Sequence, residues 1–350
     1  MTMRAMILPA FGGPELFQAA EVPRPVPGPG QMLVRVAAAG VCGHDLANRS
    51  GHFPRTQLPA VIGHEIAGVV EDVGALVSGF AVGDRIAVIQ RMPCGLCHLC
   101  RTGRENVCTS GPGFYGEDVS GGYGEFVLAT ERNAVRLPEG IPLAVACCLS
   151  CAIGTGFHAL RRAALVAGDS VVITGASGGV GIHTVKLAKL TGLRVIAVTA
   201  SEAKAERLRA AGADEVVVSP ALDFHRAVRD LTGGQGADAV IEIAGRPTFA
   251  ASVRALRAGG RMVIVGNVDP GPVPFNPAMA ILREMEFIGS GHATLGDLQK
   301  VVALVERGAI TPEIAGFLPV TEASDAHRRM EARQAGGRMV LLHGEAGGWR

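Results

Sequence analysis

Cys94, Cys97 and Cys100 are each separated by two residues and Cys108 follows after seven more, so four of the eight cysteines fall within one short segment. Four thiolates satisfy a tetrahedral zinc ion and leave it no open position, which makes such a site structural rather than catalytic. Gly95 and Gly103 supply turns that wrap the chain around an ion. Unrelated buried cysteines are a poor explanation for so dense a group of a sparse residue, and the spacings differ from those usual for an iron–sulfur cluster. His98 lies inside the loop but is surplus to a four-thiolate shell, so it reads as a surface residue.

A second group is weaker in spacing and richer in chemistry. Cys42 stands in Gly40, Val41, Cys42, Gly43, His44, Asp45, and His64 with Glu65 stands in Gly63, His64, Glu65, Ile66, Ala67, Gly68. A lone histidine beside glycine is more often an ordinary turn residue. Taken together, however, one thiolate, one imidazole and one further soft ligand with an open position make a catalytic zinc site, whose third ligand must come from elsewhere. Such an ion acts as a Lewis acid on a carbonyl oxygen, or lowers the pKa of a bound alcohol so that hydride can leave. The hydride itself belongs to a cofactor.

A cradle for that cofactor lies in Gly175, Ala176, Ser177, Gly178, Gly179, Val180, Gly181, between a strand-like Val171–Thr174 and a helix-like Val180–Thr191. Glycines let the backbone approach a pyrophosphate, and the helix N-terminus offers unpaired N–H groups. The strand–turn–helix context lifts the run above a plain tight turn. Folds that prefer NAD place Asp or Glu at the end of the next strand. Here Arg194–Thr199 ends in Thr199, Ala200 and Ser201, with Lys204 and Arg207 following, so the expectation leans to NADP(H); Glu202 is the counterargument, and NAD stays open.

The elements around these residues come in two textures. The first third is dense in Gly and Pro, with short β-branched runs at Met32–Ala37, Ile66–Val73 and Arg85–Ile89, and reads as mostly β with long loops. From about Ser170, strands alternate with helices: Val171–Thr174, the helix Val180–Thr191, Arg194–Thr199, the helix Glu202–Ala211, Glu215–Val218, Ala239–Ile243, and Arg261–Val265 after a turn at Gly259 and Gly260. That alternation implies βαβ units and a parallel sheet covered on both faces. A helix over Leu295–Arg307 and a strand over Arg338–Leu342 follow, and Gly344–Arg350 reads as a frayed end.

At 350 residues two domains are the starting expectation. The 33 basic and 32 acidic residues nearly cancel, without a basic run to track phosphates, which argues against nucleic acid. Met1–Gly13 lacks the pattern of a secretory signal, and the longest apolar stretch, around Ala144–Ile153, is about half a membrane span. A soluble cytoplasmic protein without membrane contact is expected, its cysteines serving as ligands, nucleophiles or buried side chains rather than disulfides.

The Gly40–Asp45 and Gly63–Gly68 segments, the cysteine lobe and the terminal Gly337 and Arg338 together resemble the zinc-containing medium-chain dehydrogenase/reductase family, the alcohol dehydrogenase superfamily, over essentially the whole chain. The resemblance implies an α/β fold: a doubly wound Rossmann cofactor domain over 153–290 and a mostly β, GroES-like catalytic domain over 1–152. That second domain would carry the zinc lobe at 93–109 and be completed by 291–350. It implies catalytic zinc on Cys42, His64 and a third ligand matching Cys151 in Ser150, Cys151, Ala152, Ile153, Gly154, Thr155, with Cys147 and Cys148 as buried small residues outside that motif. Glu65 matches a group that can approach the metal, and Asp45 a carboxylate that orients the histidine ligand, or else a plain loop acid. Gly175, Ser177, Gly178, Gly179, Val180, Gly181, Thr199, Ser201, Lys204 and Arg338 are the expected cofactor contacts. A small-molecule substrate and a homodimer or homotetramer are implied.

One departure concerns the proton. The family usually has Ser or Thr two residues after the cysteine ligand, and a relay histidine three residues further on; here these are His44 and Ala47. His44 can relay a proton by different chemistry, form a pocket wall or add a metal ligand. Three functions therefore stand: a zinc alcohol dehydrogenase or carbonyl reductase, a relative that reduces an activated C=C bond such as an enoyl-CoA or enal reductase, and, least supported, a non-enzymatic zinc protein. Two tyrosines and one tryptophan leave few large aromatics to line a pocket.

Overall fold

A computed structural model describes every residue except 54, 267, 268, 270, 333–335 and 345–350; the expected frayed end is thus outside the described residues beyond Gly344. The chain divides into two compact units, Met1–Gly154 with His292–Arg350, and Thr155–Gly291.

The first unit opens with β1 (Thr2–Ile7) paired to β2 (Gln18–Pro23), then β3 (Met32–Val41), β4 (Glu65–Val73), β5 (Arg85–Val88), the short β6 (Arg91–Met92) and β7 (Gly113–Phe114), β8 (Phe126–Ala129) and β9 (Ala134–Arg136). β3 is apolar and buried along nearly all its length, as a central strand must be. It pairs antiparallel with β4 in a register that sets Gly40 against Glu65 and Ala39 against Ile66. A side chain at Gly40 would overlap the Glu65 carboxylate, so glycine is what lets that acid lie across the strand. Met32, Val34, Ile66, Ile86, Val88 and Val127 fill a core on this sheet.

The second unit is a six-stranded, all-parallel sheet of β10 (Ser170–Ile173), β11 (Arg194–Thr199), β12 (Glu215–Val218), β13 (Ala237–Glu242), β14 (Leu256–Ile264) and β15 (Glu286–Gly289), ordered β12-β11-β10-β13-β14-β15. Successive residues of β10 serve opposite faces, Val171 and Ile173 packing into one core and Val172 into the other. This is the doubly wound Rossmann arrangement, and the order reverses at β10, where such sheets bind ligands. The chain then returns to the first unit through β16 (Ile314–Pro319) and β17 (Arg338–Leu342). β17 pairs antiparallel with β3, Met339 against Val41, and extends the GroES-like sheet to the order β16-β17-β3-β4-β5-β9, with β8 also on β3.

Two expectations need correction. The Gly259–Gly260 turn lies inside β14, whose register shifts where β13 runs from Ala237 to Ala239. The apolar stretch near Ala144 belongs to a helical run, Leu143–Ala163, that is long and apolar enough to cross a membrane by composition, but its most apolar 18-residue segment is 83% buried, like a core helix.

Candidate metal and cofactor sites

The four cysteines of the lobe converge. Sγ separations are 3.8 Å for Cys94–Cys100, 3.6 Å for Cys97–Cys100, 3.8 Å for Cys97–Cys108 and 3.6 Å for Cys94–Cys108. Tetrahedral zinc with bonds of about 2.3 Å requires thiolates about 3.8 Å apart, whereas a disulfide would bring two of them to about 2.05 Å. Backbone N–H groups of Leu96 and Cys97 donate to Cys94 Sγ and hold its thiol down at about 6, while burial pushes Cys100 up to about 12. The donor set fits a closed zinc shell.

The second group is assembled by strand ends. Cys42 follows β3, His64 precedes β4, and Arg338 opens β17, so the β3–β4 and β3–β17 registers alone draw them together. Cys151 arrives from far along the chain, on a widened helical turn over Leu149–Ile153; such π-turns are frequent at functional sites. One ligand atom each from Cys42, His64, Glu65 and Cys151 lies within 4.8 Å of the others, and all four residues are buried. Asp45 serves two neighbours at once: Oδ1 is 2.9 Å from His64 Nδ1, and Oδ2 accepts the Cys42 N–H at 2.9 Å. The first contact leaves His64 Nε2 for an ion.

The electrostatics fit a cation. Cys42 and Cys151 stand 3.9 Å apart; their hydrogen bond holds the Cys42 thiol well below its usual range and raises that of Cys151. Burial would lower His64, but Asp45 and Cys42 together outweigh it and keep the imidazole well above its ordinary value. Glu65 is fully buried and, among the described residues, receives no hydrogen bond; burial lifts its carboxyl to about 8 against the pull of Arg338, whose Nη2 lies 3.0 Å from Oε1. Two thiols and an imidazole, with a buried carboxylate beside them that only Arg338 offsets, form a donor set that suits a divalent ion. Arg338, expected at the cofactor, is itself 2% exposed, pairs with Glu65 and donates to the Val41 carbonyl at 3.1 Å.

His44 does not point alone into this site. Its Nε2 is 2.6 Å from Glu117 Oε1, its ring stacks on Phe53 at 4.3 Å, and Phe114 and His292 stand 4.8 and 6.2 Å away. The wall is therefore aromatic, built from phenylalanines rather than the scarce Tyr and Trp. Glu117, Phe53, Phe114 and His292 were not legible as site residues; Glu117 lies 73 positions from His44, and no spacing connects them. Burial pushes His292 down to about 3, which keeps its imidazole neutral.

In the second unit, Gly175 turns at φ +58°, and a side chain on Gly181 would strike the Gly175 carbonyl oxygen and Ala176 Cα. Gly178 caps the twelve-residue helix Gly179–Leu190, so Ser177, Gly179 and Val180 stand at its N-terminus. This loop accepts a pyrophosphate without obstruction by a Cβ. At the end of β11, buried Thr199 accepts the Ser201 N–H at 3.2 Å, and Ser201 and Lys204 are half-buried beside exposed Glu202.

Residues 28–139 match the alcohol dehydrogenase GroES-like domain and residues 179–307 the zinc-binding dehydrogenase family. An acryloyl-coenzyme A reductase of Sulfurisphaera tokodaii is 34% identical, over 97% of this chain and 99% of its own length. An NAD-dependent alcohol dehydrogenase of Sulfolobus acidocaldarius is 36% identical, over 97% and 99%. The crystal structure of AibC superposes with a TM-score of 0.93 at 44% identity, covering 98% of this chain and 96% of that one.

Proposed function

Because this chain belongs to the zinc-containing medium-chain dehydrogenase/reductase superfamily and is an oxidoreductase, we propose that it transfers a hydride between NADP(H) and an alcohol, aldehyde or ketone. The buried convergence of Cys42, His64, Glu65 and Cys151 carries this reading. Cys42, His64 and Cys151 would hold the catalytic zinc, which supplies Lewis acidity to the substrate oxygen. Asp45 orients His64, and Arg338 balances Glu65. Cys94, Cys97, Cys100 and Cys108 would hold the structural zinc. His44 has Nε2 committed to Glu117, leaving Nδ1 to pass the substrate's proton. Thr199, Ser201 and Lys204, without a carboxylate at the end of β11, favour a 2'-phosphate and so NADP(H) over NAD.

A second reading is reduction of the C=C bond of an unsaturated thioester or enal. It is favoured by the acryloyl-coenzyme A reductase relatives and by His44 and Ala47 in place of the usual relay pair. A homodimer or homotetramer is proposed from the exposed apolar Ile281 and Leu282 beside the edge strand β15. Eight unbridged cysteines favour the cytoplasm.

Zinc-replete protein should be offered NADPH or NADH with saturated aldehydes and ketones, and separately with enals and enoyl thioesters, with products identified by mass spectrometry. Alcohol products support the first reading and saturated acyl products the second. No turnover in either panel refutes both.

A further inference from the structure

The carboxylate of Glu242 is fully buried at the carboxyl end of β13, and among the described residues no basic side chain pairs with it. Burying an acid without compensation is costly, and hydroxyls and one amide supply the compensation. Oε1 accepts from Thr174 Oγ1 at 2.7 Å, Thr248 Oγ1 at 2.6 Å and the Gly245 N–H at 2.8 Å, and Oε2 accepts from Ser252 Oγ. Thr248 and Ser252 lie one turn apart on helix Arg246–Ala255, whose N-cap is Gly245, so the acid also sits at that helix's positive end.

Thr174 gives this shell its reach. It is the last residue before Gly175, and its hydroxyl donates to Glu242 while accepting the Ile243 N–H at 2.9 Å. Its own N–H donates to the Ile241 carbonyl at 3.1 Å. The carboxyl ends of β10 and β13 are thus tied at the point where the strand order reverses and ligands bind.

We infer that Glu242 is a positioning residue for cofactor binding: through Thr174 it locks the Gly175 turn to the loop after β13 and so sets the shape of the pyrophosphate cradle. This rests on the reading of Gly175–Gly181 as a dinucleotide site. Glu242 and Thr174 act on the backbone of the cradle, and neither is a catalytic residue.

The test uses the full chain and NADPH alone, with affinity read by fluorescence titration and amide exchange by mass spectrometry. Glu242→Gln and Thr174→Val should each weaken NADPH binding roughly tenfold or more, since cradles tolerate little displacement, and should speed exchange in 175–181 and 243–248 together. Thr174→Ser, which keeps the hydroxyl, should restore both. Val172→Ala, a cavity in the same sheet, is the control for lost stability: at an equal fall in Tm it should leave NADPH affinity within about twofold. If Glu242→Gln binds NADPH like the parent, or loses affinity only as far as Val172→Ala does, the inference is overturned. If the parent itself binds no dinucleotide, the cofactor reading fails. Exchange then decides the clamp: joint loosening of the two loops upholds it and unchanged exchange refutes it.

Discussion

Asp45 illustrates how much one side chain carries here. Its two oxygens hold the backbone of one proposed ligand residue and the ring of another, so it sets both the position of Cys42 and the tautomer of His64. Asp45→Asn should therefore lower catalytic zinc affinity by about 10- to 100-fold, read by competition with a chromogenic chelator. Cys42→Ala or His64→Ala should remove one zinc per chain by elemental analysis and cut kcat/KM by ~10³-fold or more, the scale of several kcal/mol of Lewis-acid stabilisation; retention of both metals would remove these residues from the ligand set. Thr199→Asp should shift preference from NADPH towards NADH by roughly tenfold, the 2'-phosphate meeting a new charge, and an unaltered ratio of kcat/KM values would contradict the NADP(H) reading. Cys42, His64 and Asp45 stood out in the sequence because each lies in a short glycine-bounded segment. Glu117 did not, because its loop is joined to His44 only in space.

The elements bring ligands together by register. A slip of one residue between β3 and β4 would turn Glu65 away from Gly40 and move His64 with it, since side chains alternate across a strand. The cysteine lobe is built differently, from local turns, the short helix His98–Arg101 and the 3-10 turn Glu105–Val107, and on the proposed reading it would fold around its own ion. Cys97→Ser should therefore release the structural metal and lower Tm, while the Cys42 site keeps its own zinc; loss of both ions in one step would mean that the two sites are not independent. Lobe spacing, the glycine loop and the β-α alternation were readable from short-range pattern. The short helices Gly43–Arg49 and His225–Leu231, and the strand β15, were not, because their ends carry polar or exposed residues and packing rather than periodicity defines them.

At the scale of the whole molecule, a buried histidine makes stability sensitive to acid. Burial lowers His327, packed against Phe17 with Nε2 at 2.9 Å from the Tyr123 hydroxyl, to about 3. The folded value lies below the unfolded one of about 6.5, so the unfolded chain binds the extra proton between those values. Stability from this group is complete above about pH 6.5 and is lost as pH falls towards 3, by roughly 2 kcal/mol at pH 5. Urea midpoints at pH 7 and pH 5 should show a smaller difference in His327→Gln than in the parent, and equal differences would assign the acid sensitivity elsewhere. The sequence by itself determined the chemistry available: which thiols could close around an ion, where a phosphate cradle lies, and that a mostly β region accompanies a parallel α/β one, because those are properties of neighbours along the chain. The tertiary structure brought Cys151 to Cys42 across 109 positions, a meeting that residue spacing left open and only the family resemblance implied, and it alone decided that Arg338 faces Glu65 and that Glu117 backs His44. Those meetings depend on how strands register and loops return over long separations, which spacing along a chain does not encode.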